Sequence, residues 1–376
     1  MRVREHRWAW LGVVVALLSG CGDETDGNSG GGGSGGSGGS GGGGGILGSG
    51  GNFVKPIYPL YVANSEGDNV AMVDRETGEF YADIIPKGTS GLRAPDALAF
   101  DYEEYLYVSS GDDAASSAVL RVSLDLPSPE VSVFASGGGL LRPSGLAFGP
   151  DDMLYVSSYL TDQILRYDAK TGAFIDVFKT GDGQPGGLNG PRGLAFDPED
   201  YRLYVATEGS VAVAGKATYP GLPSQVLQID FETGDMKVFA DQPLPSPEGP
   251  GYVRLLGLEI GPDCFGFDES KCELFVSDSA NDIRRFDRVT GALKSTISTN
   301  YSGVTPSGNR TGGLSFDNQG RLFTVGFNAD EATGHPGAVL RFDGATGAPL
   351  PGMGQTGAVL VPENKKLLRP SGVFAL

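Results

Sequence analysis

The phrase Leu-Arg-Pro-Ser-Gly-Leu-Ala-Phe at residues 141–148 returns as Leu-Arg-Pro-Ser-Gly-Val-Phe-Ala at residues 368–375, one residue short of the chain's end. Related openings stand at Pro95, Pro191, Leu255 and Thr311, so six starts are visible and the last has nothing after it. Each start pairs with a second apolar run of alternating character, beginning at Leu60, Leu106, Leu154, Leu203, Leu274 and Leu322. A third run ends in Asp-x-x-Thr-Gly five times, at Asp74, Asp168, Asp230, Asp287 and Asp343. That is hairpin-turn chemistry: the Asp side chain bonds its own backbone and Gly accepts positive φ.

The starts lie roughly 50 to 60 residues apart, the period of a four-stranded propeller blade. The pattern therefore predicts an all-β, six-bladed β-propeller. The repeats begin on the second strand of a blade and finish on a lone first strand, so both termini must complete one blade together. Such a clasp removes the open sheet edge that invites aggregation. A solenoid would need capping units at each end and would not divide a repeat between its termini.

Ahead of the repeats, a basic start (Arg2, Arg4, Arg7) leads into an apolar stretch too short to span a bilayer and then into Leu18-Ser-Gly-Cys21. The ending resembles a bacterial lipobox. It implies an exported protein whose residues 1–21 are a signal, with Cys21 acylated as the membrane anchor and no other membrane contact. Residues 22–52 are almost entirely Gly, Ser and a few acids, a composition that cannot bury enough apolar surface to fold. They read as a tether, of about 30 Å mean reach, for a propeller occupying residues 53–376 in the periplasm or outside the cell. Of the three cysteines, Cys264 and Cys272 remain, flanking one hairpin. Export permits a disulfide between them, and no further Cys or nearby His completes a zinc set.

The formal net charge is -18, which opposes binding to nucleic acid or anionic lipid. It leaves room for Ca²⁺ or another divalent cation, although a solvated acidic surface is the plainer account. The expected partner is an extracytoplasmic protein, peptide or small-molecule ligand, met by a monomer.

The pattern Pro-x-Gly-Leu-Ala-Phe-x-Pro-x-x-x-Leu-Tyr-Val-Ser, followed by Ile-x-Arg-Phe-Asp, resembles the NHL repeat and the related six-bladed propellers of the SMP-30/gluconolactonase and streptogramin-lyase type, over residues 56–376. That resemblance implies fold more than activity, since such propellers include lactonases, lyases and binding platforms. Beyond residue 10 the chain has no Trp, which excludes the Trp-based propeller motifs. Only His335 follows the signal, too few for a histidine-dependent lyase site. Gluconolactonase-like enzymes hold a divalent cation through a Glu, the Asn of a Pro-Asn-Gly motif and the Asp of an Asp-Ser motif. Asp278 in Val276-Ser-Asp-Ser279 matches the last. The Asn position does not match: its equivalents are Asp96, Ser144, Arg192, Leu256, Gly312 and Ser371.

Short turns are expected on one face of the ring and long loops on the other, at residues 111–118, 208–224, 242–253, 300–310 and 327–338. Function is expected on the long-loop face. At its centre, Asn64, Ser110, Ser158, Thr207, Asp278 and Gly326 follow the second strands and are placed to point at the channel mouth. A ligand or cation there would meet Asn64, Asp278, Glu208 and Asp96, with oxygen ligands suiting Ca²⁺. Arg142, Arg254, Arg310 and Arg369 precede four blade starts, with Arg93 and Arg192 close by. Such a ring either holds an anion or bridges to acidic loops and rigidifies the propeller. The reading these features carry is a binding or scaffold protein; the alternative is a divalent-cation-dependent lactonase or hydrolase at the channel mouth.

Overall fold

The computed structural model describes residues 57–101, 105–124, 128–265 and 272–376, with Asp263 and Phe265 described by backbone alone. The chain divides into two compact units, 1–44 and 45–376, and every described residue belongs to the second. The expected signal, Cys21 and the tether lie outside the described residues.

Six antiparallel four-stranded sheets form the blades of a propeller. Blade 1 runs Pro370–Ala375, Pro59–Asn64, Asn69–Asp74, Phe80–Ile85 from the inside outward. The inner strands of blades 2 to 6 are Leu98–Phe100, Pro143–Phe148, Pro191–Phe196, Leu255–Ile260 and Asn309–Phe316. Their second strands are Tyr105–Ser110, Met153–Ser158, Leu203–Thr207, Glu273–Asp278 and Arg321–Asn328. As the split repeat requires, the last strand closes the ring, with Leu60 opposite Ala375, Val62 opposite Val373 and Asn64 opposite Pro370.

Blades stack face to face, so a second strand is covered on both sides. All of Pro59–Asn64 is buried, and Leu154, Tyr155 and Val156 are fully enclosed. Cover on both faces is why the Leu-Tyr-Val runs are continuously apolar, where a strand with one solvated face would alternate. Neighbouring blades interlock through the repeat itself. Tyr107 meets Phe148 edge-on at 5.0 Å and Tyr155 meets Phe196 at 4.9 Å, each Tyr from a second strand and each Phe from the next inner strand. The buried hydroxyls find acceptors, Tyr107 on Asp101 at 2.7 Å and Tyr155 on Asp151 at 2.9 Å.

In the Asp-x-x-Thr-Gly turns the Asp carboxylate accepts the Thr amide and hydroxyl, as at Asp168 with Thr171 (2.8 and 2.7 Å). The closing Gly172 has φ 72°. A disulfide joins Cys264 and Cys272, whose Cα atoms are 4.3 Å apart.

One irregularity governs the site. The inner strands carry a register shift at their start: between Pro143 and Gly145, Pro191 and Leu194, Leu255 and Leu258, and Thr311 and Leu314, with the same slip where Asn64 meets Pro370. A bulge of this kind re-aims a side chain out of the sheet. Blade 2 differs in degree, its inner strand starting only at Leu98.

Candidate functional site

A cavity of about 510 Å³ opens at the centre of the long-loop face. Its wall is layered. The residues at the bulges, Asp96, Ser144, Arg192, Leu256, Gly312 and Ser371, all line it. These are the equivalents of the Pro-Asn-Gly asparagine, so the sequence position is right although its residue types are mixed. Deeper lies an aliphatic belt of Leu98, Leu146, Leu194, Leu258, Leu314 and Val373.

Above the bulges stands a rim of Arg142, Arg254, Arg310 and Arg369, also on the wall. Arginine and aromatic side chains alternate there. The guanidinium of Arg192 lies 5.0 Å from the Tyr159 ring centre and that of Arg142 5.6 Å from the same ring. Arg254 and Arg310 both stack over Tyr252, at 5.8 and 5.5 Å, while Arg369 stands over Phe327 at 5.6 Å. Such stacking holds a guanidinium without neutralising it.

Carboxylates answer some of these charges. Arg192 pairs with Asp96 at 3.0 Å and approaches Glu208 at 3.8 Å; Arg254 meets Glu208 at 3.2 Å. Glu208 also accepts the Tyr219 hydroxyl at 2.7 Å, and Tyr219 contacts the Tyr159 hydroxyl at 3.2 Å. Burial, with Glu208 and Tyr159 as further causes, pushes the Tyr219 phenol well above its ordinary range. Arg369 reaches Glu66 at 3.2 Å, and His335 Nδ1 reaches the same carboxylate at 2.8 Å. Among the described residues Arg142 and Arg310 have no carboxylate partner. Arg93 lies off the wall and pairs with Asp112 at 2.7 Å.

The backbone reports strain at this rim. Arg142, Arg369 and His335 have φ of 54°, 46° and 50°, a left-handed region that non-glycine residues seldom occupy.

The small polar residues of the second strands sit elsewhere than the sequence suggests. Asn64, Ser110, Ser158, Thr207, Asp278 and Gly326 end or continue those strands, and none lines the cavity. Pairing carried the second strands further than the apolar runs imply. Four of them, Ser110, Ser158, Thr207 and Asp278, fasten neighbouring loops by side-chain hydrogen bonds. Ser158 Oγ accepts the Leu141 amide at 2.9 Å and Asp278 accepts the Arg254 amide at 2.9 Å. Ser110 accepts the Arg93 amide at 3.1 Å, and Thr207 donates to the Gln225 carbonyl at 3.0 Å. Asp278 is further taken by Arg284 at 3.2 Å. Asn64 is fully enclosed, with neither amide atom hydrogen-bonded. Among the described residues no three His, Cys, Asp or Glu side chains converge as a metal site.

Sequence reasoning overlooked Glu259. It is on the cavity wall, three residues beyond the bulged Leu256, on the inner strand of blade 5. Its counterparts are Ala99, Ala147, Ala195, Ser315 and Phe374. Among the described residues its side chain makes no hydrogen bond or ion pair. Burial alone raises its carboxyl to about 8. It lines the cavity and keeps part of its surface exposed, so it is enclosed by protein without being sealed off.

No family model matches the chain, and no curated protein matches it. Solved structures do. A chain of the nidogen/laminin complex aligns with TM-score 0.56 and 15% identity, over 85% of this chain and 97% of that one. A protein of unknown function from Bacteroides caccae aligns with TM-score 0.55 and 12% identity, over 86% and 99%. At these identities the likeness is one of fold.

Proposed function

We propose that the protein is a binding module that takes up a small organic anion in the cavity of its long-loop face. The observation that carries this reading is the set of five arginines on the wall, two of them, Arg142 and Arg310, without an acid partner. The other charged groups there are Asp96, Glu208, Glu259, Glu331 and His335, and an unionised Glu259 leaves the arginines in excess. That excess stands out in a chain of net charge -18. A cavity of about 510 Å³ falls within the range that encloses small ligands. Aromatic faces at Tyr159, Tyr219 and Phe327 supply apolar contact beside the charges.

The test is calorimetric titration with citrate and with inorganic phosphate, against wild type and an Arg142→Ala, Arg310→Ala double variant. Saturable binding that weakens at least tenfold in the variant and falls with added salt supports the reading; equal binding by both proteins overturns it. An acidic peptide that binds while neither small anion does would move the function to a protein partner on the same face.

The lipobox-like Leu18-Ser-Gly-Cys21 supports placing this module on a membrane, at the end of a Gly/Ser tether. Cys21→Ala is expected to move the protein from the membrane to the soluble fraction. The NHL and SMP-30/gluconolactonase resemblance rests on the repeat motif and supports the propeller frame. Its cation-dependent chemistry gains no support from the placement of Asp278 and Asn64.

A further inference from the structure

The wall changes character along the inner strands: guanidinium and aromatic groups at the rim, then a level of six aliphatic residues, five of them mostly buried in the cores between blades, and then one carboxyl. Along an inner strand each residue advances about 3.3 Å, which puts Glu259 about 10 Å beyond the bulge level. No other lining residue lies as far along its strand.

We propose that Glu259 is the hydrogen-bond donor at the deep end of the cavity, and that it selects, among small organic anions, those with an aliphatic middle and an uncharged oxygen acceptor at the far end. This rests on the anion-site reading above and adds the other end of the ligand. The belt defines the middle, since it offers no polar side chain to a ligand lying across it.

The donor role follows from the surroundings. The inner strands packed on either side of Leu255–Ile260 bring Arg192 and Arg310; the second strand of its own sheet brings Glu273 and Asp278; the second strand of blade 4 brings Tyr204. Arg192 is engaged by Asp96 and Glu208, Arg310 stands over Tyr252, Asp278 is taken by Arg284 and Glu273 by Arg285 and Lys294. The Tyr204 hydroxyl accepts from Gln228. No cation among them holds Glu259 ionised, and desolvation keeps the proton on it to about pH 8. A protonated carboxyl donates to a carbonyl, ether or hydroxyl oxygen. An ammonium end is disfavoured, because it would have to pass the arginine rim.

The experiment compares keto acids bearing a terminal methyl ketone, in increasing chain length, with alkanoates of equal length, by calorimetry on the purified protein. Wild type at neutral pH is expected to favour one chain length of keto acid by about tenfold over its alkanoate, the worth of one buried hydrogen bond. Glu259→Leu should lose that preference while still binding both anions. Glu259→Gln should keep it, and should keep it above pH 8, where wild type loses it. An undiminished preference in Glu259→Leu, or one in wild type that ignores pH, overturns the donor role. Failure of every anion to bind wild type overturns the anion site, and the donor role with it. An infrared difference between wild type and Glu259→Gln gives a readout without ligand: a protonated carboxyl band at neutral pH is expected, and ionisation in the ordinary glutamate range refutes the assignment even if the anions bind.

Discussion

Arg142 and Arg369 occupy a backbone region where glycine is favoured by about 1 kcal/mol or more, and both keep a long charged side chain there. Arg142→Gly should therefore leave the melting temperature unchanged or raised while weakening anion binding, a pairing that a purely structural arginine would not show. Thermal melts with and without citrate check both halves. Glu259 makes a related prediction with a pH sign. Its native carboxyl is raised to about 8, whereas an unfolded glutamate titrates in the ordinary range. The folded protein thus holds a proton that the unfolded chain releases, and stability falls as pH rises through that window, being fully present only below it. Glu259→Gln should be more stable than wild type by about 1–3 kcal/mol at pH 7, with the gap closing near pH 4. Denaturant melts at the two pH values measure it, and a pH-independent gap would reject the mechanism. Much of this scale was legible: the arginine ring and the mixed bulge positions stand in the repeat itself. Glu259 was visible too, as the one acid among Ala, Ser and Phe counterparts. Its meaning depended on which side of an edge strand faces the channel, and that is fixed by the bulge and not by composition. Asp278 stands off the cavity because a small polar residue at a strand end serves the neighbouring loop's amides equally well, and Asn64 is enclosed among neighbouring blades without bonding any group.

At the scale of single elements, the repeated turn separates two costs that sequence alone merges. Gly172 and Gly234 close equivalent Asp-x-x-Thr-Gly turns with φ of 72° and 73°. A Cβ on Gly172 would stand 1.8 Å from the Phe134 carbonyl oxygen, while one on Gly234 meets nothing within 4 Å. Gly234→Ala should cost about 1 kcal/mol of backbone strain, and Gly172→Ala visibly more, because blade 2 must give way as well. Urea midpoints of the two variants, compared side by side, decide it; equal losses would mean the blades adjust freely at that contact. Strand number, order and the shared blade were all readable from the spacing. The extra length of the strands in blade 6, eight residues each in the first three, was not. Pairing of Phe327 with Gly337 draws loop residues into the sheet there, a tertiary gain that no local pattern announces.

For the molecule as a whole, the closing strand is the decisive contact. Pro370–Ala375 supplies the inner edge of blade 1, and Val373 and Ala375 pack in one cluster with Leu60, Val62, Phe323 and Val325, joining blades 1 and 6. At the outer end of the same joint Arg75 donates to the Leu376 carbonyl. Removing residues 370–376 should expose the Pro59–Asn64 edge and give a protein that loses cooperative melting and associates; size exclusion and thermal melts test this, and a monomer with an unchanged transition would contradict it. The joint also imposes an order in time. While the chain is being made, every blade but the first can assemble as its strands emerge, yet blade 1 waits for Pro370–Ala375 to appear. A polypeptide interrupted anywhere upstream has its first three strands and no means of finishing them. Products cut short of Pro370 thus betray themselves by an unpaired edge.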